Sequence, residues 1–115
     1  MRWLLTIPVA LALFAAVAQA QETMSTRFGN TVVSKGDGPE VHTYYNADGT
    51  FTGKVIGMKL VLKGTWKVDG GTICLTYDPP PPTVKNPVCV PNEEHKIGDT
   101  WMTGKRTVTL VQGIQ

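Results

Sequence analysis

Through most of the chain, apolar and polar side chains alternate one by one. Leu62, Gly64, Trp66 and Val68 share one parity, and Lys63, Thr65 and Lys67 share the other. That period of two turns one face of a strand toward a core and the other toward water. The runs that alternate are short, rich in Val, Thr, Tyr, Phe and Trp, and separated by glycine-containing turns, which predicts antiparallel hairpins. The clearest joins Val41–Tyr45 to Thr50–Ile56 through Asn46-Ala47-Asp48-Gly49, where Asp-Gly supplies the positive φ of a tight turn. A second joins Leu60–Val68 to Thr72–Tyr77 through Asp69-Gly70-Gly71. On the returning strand Ile73, Leu75 and Tyr77 should face inward, with Cys74 outward beside Thr72 and Thr76. A short strand around Val88–Val90, a polar turn over Asn92–Gly98 and a last pair, Asp99–Thr103 and Arg106–Gln112, complete the pattern. After a polar lead, Gln21–Thr26, no useful helical period is present. The expected fold is all-β: a small antiparallel meander of about seven or eight strands, curling into a barrel or half-barrel.

The N-terminus breaks this pattern. Arg2 is followed by an uncharged apolar run from Trp3 to Val17 that ends at Ala18-Gln19-Ala20. A basic start, a hydrophobic stretch and a small-x-small site make a secretory signal peptide, cleaved after Ala20. The run is shorter than the ~20 apolar residues that span a bilayer, so no membrane anchor is expected after cleavage. Residue 21 is Gln, so the lipid-modified Cys of a bacterial lipoprotein is missing. The expected product is residues 21–115, one exported domain, periplasmic or secreted. Loss of Arg2 leaves 11 − 1 = 10 basic and 9 acidic residues in that domain. Lys54, Lys59, Lys63 and Lys67 are spread along strands, so neither a nucleic acid nor an anionic membrane is the expected partner.

Export changes how the cysteines read. Cys74 and Cys89 are the only two, and in an oxidising compartment they predict one disulfide worth ~3 kcal/mol by loop closure. It should sit on the outer face or rim and staple a loop. Between the cysteines Asp78-Pro79-Pro80-Pro81-Pro82-Thr83 cannot donate ladder hydrogen bonds, and reads as a stiff polyproline connector pinned at its base. One internal echo, Asp48–Lys54 against Asp99–Lys105, admits a duplicated unit or the small vocabulary of hairpins.

Candidate chemistry is sparse. Nucleophilic catalysis needs a nucleophile, a base and an orienting group, and no G-x-S-x-G or reactive thiol is present. His42 and His95 are the only histidines. Glu93-Glu94-His95 is the only dense cluster of titratable groups, and with His42 it could form a two-histidine, one-carboxylate metal site, but neighbours on a strand point to opposite faces, so at most one of Glu94 and His95 could meet His42. Glu40 or Asp48 beside His42 could form an acid–base pair. The aromatic residues Trp66, Trp101, Tyr44, Tyr45 and Phe51 are core candidates first. As a functional reading they are the candidate lining of a mouth or cleft for an apolar ligand.

The segment Leu62-Lys63-Gly64-Thr65-Trp66-Lys67-Val68-Asp69-Gly70-Gly71, followed by Cys74, resembles the G-x-W strands of the calycins, the lipocalin and avidin group. Thr50-Phe51-Thr52-Gly53 resembles an avidin hairpin fragment. The order differs from avidin, where the G-x-W strand comes first, so no ligand residue is carried over. D-G-T-x-x-G, then G-T-W-x-V, then a nearby Cys also resembles small exported proteobacterial proteins of unknown function. The resemblance covers residues 44–78 and implies a β-barrel fold. The leading functional expectation is a non-enzymatic binding protein for a small apolar molecule or an envelope protein, without a cofactor or metal. A small hydrolase or lyase using His42 with a carboxylate, and a structural or inhibitory envelope protein, are the alternatives.

Overall fold

A computed structural model describes residues 23–115; the proposed signal peptide, Met1–Ala20, lies outside them. Eight strands follow the helical residues 23–25. They are β1 Thr31–Lys35, β2 Val41–Tyr45, β3 Thr50–Val55, β4 Leu60–Asp69, β5 Thr72–Tyr77, β6 Val88–Pro91, β7 Thr100–Thr103 and β8 Arg106–Val111. All pair antiparallel in one sheet of order β6-β5-β4-β3-β2-β1-β8-β7. The sheet curls into a nearly closed barrel. Its two free edges are β6 and β7, strands adjacent in sequence but not hydrogen-bonded to each other.

The alternation places the faces as the sequence predicts. Trp66 is buried, Leu62, Gly64 and Val68 are half-buried, and Lys54, Lys59, Lys63 and Lys67 are exposed. Register extends the inner face around the wall: Val32 lies opposite Thr43 and Leu110, and Trp101 opposite Val108. One part of the interior is solid. Phe28, Tyr45, Phe51, Trp66 and Tyr77 form a chain of ring contacts, from Phe28–Trp66 at 5.9 Å to the edge-on Phe51–Tyr77 pair at 5.1 Å. Met24 and Leu110, both without exposed surface, pack against this cluster. Trp66 Nε1–H donates to the Asn46 carbonyl (2.9 Å), which satisfies its one polar group and ties β4 to the β2–β3 turn.

Gly64 explains why this cluster forms where it does. A Cβ there would lie 1.9 Å from the Thr76 carbonyl oxygen and 2.9 Å from Phe51 Cε1. The missing side chain lets β5 and the Phe51 ring close on β4, so the glycine of the G-x-W segment is a packing requirement.

Cys74 and Cys89 are bonded and sit directly opposite each other on β5 and β6. Ile73 and Leu75 point inward from β5, so the bridge lies on the outer side of the wall, as expected. The proline loop it closes is interrupted by a turn, Val84 N–H donating to the Pro81 carbonyl. It contains cis peptides at Asp78–Pro79 and Asn86–Pro87. Asn86 holds the loop base by a two-way bond, accepting from Tyr77 N–H (2.9 Å) and donating to the Tyr77 carbonyl (2.7 Å). The internal echo diverges in structure: Gly53 lies within β3, whereas Gly104 turns the chain between β7 and β8 with φ +59°. No helix among the described residues is long and apolar enough to cross a membrane.

Candidate functional site

The barrel is not filled from end to end. A cavity of about 260 Å³ lies inside the wall and is walled by β1, β2, β5, β6, β7 and β8. Val32, Val41, Ile73, Leu75, Val88, Val90, Trp101 and Val108 give it an apolar lining, with Tyr45 and Tyr77 on the side of the aromatic cluster. Pockets that hold drug-sized molecules run to ~300–1,000 Å³, so this one suits a single ring or a short chain. Both free edges of the sheet contribute: Val88, Val90 and Pro91 from β6, and Trp101 and Thr103 from β7.

Two arginines also line this space, and they are bonded very differently. Arg106 begins β8 on the same face as Val108 and Leu110. Its Nε donates to Ser34 Oγ (2.7 Å), Nη1 to the carbonyls of Gly36 (2.7 Å) and Asp37 (3.2 Å), and Nη2 to those of Ser34 (2.8 Å) and Pro39 (2.6 Å). All five N–H donors of the guanidinium are therefore spent on β1 and the β1–β2 turn. Arg106→Met removes every one of those bonds, and charged donors contribute more than neutral ones. Because the side chain is half-buried, the expected loss is about 2 kcal/mol, below the sum of its bonds. A urea titration measures it; an unchanged midpoint would show that the turn holds itself.

Arg27 is 4% exposed. Nη1 donates to the Thr23 carbonyl and Nη2 to that of Glu93, both at 2.9 Å. Among the described residues no carboxylate forms an ion pair with it. Burial pulls its pKa below the ordinary arginine value, while Tyr45 and Glu93 act in the opposite sense. Burial also pushes the Tyr45 and Tyr77 phenols above their ordinary values, further from ionisation than a phenol already is at physiological pH. Thr26 donates to the His95 carbonyl. Together with Arg27 it ties the N-terminal turn to the connection between β6 and β7.

The five aromatic candidates separate into three groups. Tyr45 and Trp101 line the cavity. Trp66 and Phe51, 8% and 1% exposed, are core residues, and Phe51 also borders a shallow outer groove with Lys63, Thr76 and Asn86. Tyr44 points outward and donates to the Gln115 carbonyl (2.6 Å). Cavity residues that the sequence did not single out include Arg27, Arg106, the valines of β6, and Val32 and Ser34 of β1, a strand the alternation did not mark.

The histidines do not meet. His42 faces outward on β2, with Nε2 2.6 Å from Glu40 Oε2 and Nδ1 3.5 Å from the Gln115 carbonyl oxygen. Segment 113–115 crosses this face, where Thr31 accepts from Gln115 N–H and donates to the Gly113 carbonyl. The expected His42–Glu40 pair thus exists, but neither residue lines the cavity. Asp48 instead accepts from the N–H and hydroxyl of Thr50, which hold its carboxyl below the usual range. His95 stacks on Trp101, 3.5 Å between ring centroids and 4° between planes, and lies 3.4 Å from Glu93 and 3.8 Å from Asp99. Glu94 is exposed. The grouping of His42 with Glu93, Glu94 and His95 is not formed, and no three His, Cys, Asp or Glu side chains among the described residues are arranged to hold a metal.

Fold and site therefore stand on their own geometry: no family model, curated protein or solved structure matches this chain.

Proposed function

We propose that this chain is a non-enzymatic binding protein of the bacterial envelope, exported through Met1–Ala20 and holding a small apolar molecule inside its barrel. The observation that carries the reading is the cavity of about 260 Å³, walled by aliphatic side chains and Trp101 from strands on both sides of the open seam. Native interiors pack densely and keep few voids larger than a water molecule, so an apolar space of this size in a small domain calls for a use. The disulfide fits an oxidising compartment. The catalytic alternative lacks a setting, since the His42–Glu40 pair lies outside the cavity and helps hold segment 113–115.

Titration with neutral apolar probes, hexanol and 3-phenylpropionamide, is expected to change tryptophan emission through Trp101 and to raise the melting temperature. Val90→Trp places a large side chain in the cavity wall. It should weaken probe binding at least ~10-fold, a change of about 1.4 kcal/mol, without unfolding the domain. Absence of any response in the unmodified chain would end the binding reading.

A further inference from the structure

The cavity carries a charge pattern that an apolar ligand alone does not explain. Two guanidinium groups line it, and among the described residues neither forms an ion pair with a carboxylate. Burying an unpaired charge is costly, and proteins ordinarily pair such a group or surround it with hydrogen bonds. Arg106 meets that demand with five bonds to its own turn. Arg27 is held differently: its bonds to described residues are two, both to main-chain carbonyls, so no negative charge among them offsets its own. Its guanidinium lines the same apolar space as Tyr45 and Tyr77, a cation that no carboxylate among the described residues neutralises.

We infer that the ligand of this cavity is a small apolar carboxylate, with its charged end on Arg27 and its ring or chain among Val32, Ile73, Leu75, Val90 and Trp101. This rests on the binding role proposed above and names the class of ligand for the same site. Three physical facts support it. A carboxylate accepts two parallel bonds from a guanidinium, and such bonds are roughly twice as strong as neutral ones. Arginine remains protonated even when burial disfavours the charge, so the site presents a cation at every physiological pH. The phenols of Tyr45 and Tyr77 line the same cavity and, neutral at physiological pH, add donors without an opposing negative charge. Arg106 contributes only its field, its donors being used.

The test compares 3-phenylpropionate with 3-phenylpropionamide, which share a shape and differ in charge, on the full chain by calorimetry. The carboxylate is expected to bind at least ~10-fold tighter, which corresponds to about 1.4 kcal/mol. In Arg27→Met that ratio should fall to near one while the amide keeps its affinity. Should the variant fail to fold, NMR of the unmodified protein reads the same contact: the Arg27 Nε–H resonance shifts with the carboxylate and not with the amide. Equal affinities, or a Trp101 shift without an Arg27 shift, would overturn the carboxylate assignment and leave the binding role intact. No binding of either probe would overturn both.

Discussion

Gly64→Ala is expected to destabilise the domain by at least about 3 kcal/mol, at the top of the usual range for forcing volume into a packed interior. For a domain of this size that corresponds to a fall in melting temperature of more than about 12 °C. The reason is the kind of atom the new methyl group would meet. An ideal Cβ on Gly64 lies 1.9 Å from the carbonyl oxygen of Thr76 and 2.9 Å from its carbonyl carbon. Those atoms belong to β5, paired at Thr76 with Thr65 of β4 and tied at the next residue, Tyr77, by the two-way bond to Asn86, and backbone so held cannot swing aside as a side chain can. The third neighbour, Phe51 Cε1 at 2.9 Å, belongs to a ring pinned edge-on to Tyr77. Gly71 is the matched control: nothing lies within 4 Å of its Cβ position, so Gly71→Ala should change stability by less than about 1 kcal/mol. Equal melting temperatures for the two variants would show that β4 and β5 are not in close contact at Gly64.

That glycine also marks where the sequence was readable and where it was not. Residues 60–77 declare a hairpin, because Gly64, Trp66 and Val68 alternate with lysines and threonine up to a glycine turn; strand bounds and faces followed. The sequence did not reveal why position 64 needed a glycine. The neighbour that forbids a side chain, Thr76, is brought there only by the pairing. Arg106 left a usable signal, since a period of two from Leu110 through Val108 puts it on the inner face, but an apolar pattern does not select a charged residue. Arg27 left none. It lies in an irregular turn, and its burial depends on Glu93, 66 residues away. The aromatics show the same limit. Period distinguishes inward Tyr45 from outward Tyr44, but not Trp101 beside a void from Trp66 within a filled core. That difference depends on how the whole wall curves.

Removing the Cys74–Cys89 bridge is the second change with a large expected effect. The bridge closes a loop of 15 residues in sequence separation, and loop-closure entropy for that length is worth about 3 kcal/mol. The consequences should be concentrated in one place. β6 has four residues, pairs only with β5 and forms one free edge of the sheet, so without the bridge it depends on a short ladder and on Asn86 at the loop base. Reduction, or the Cys74→Ala, Cys89→Ala double variant, is expected to cost about that amount in urea and to remove amide-exchange protection first at Val88–Pro91. Since Val88, Val90 and Pro91 line the cavity, probe binding should weaken as well. An unchanged urea midpoint, with both thiols confirmed free, would mean that packing against the interior holds β6 without the bond.

The unpaired seam has a kinetic consequence. In a fully closed barrel, a molecule passing through the wall must break ladder hydrogen bonds, so faster exchange comes with a weaker fold. Here β6 and β7 face each other without a ladder. They are joined through residues 92–99, which are tied to the N-terminal turn by Arg27 and Thr26. Widening that gap separates side chains such as Val90 and Trp101 and leaves every strand pair intact. For a ligand held as proposed, exchange through this gap would need no ladder to break, so changes in the 92–99 connection are expected to alter the exchange rate with little effect on the global stability of the sheet.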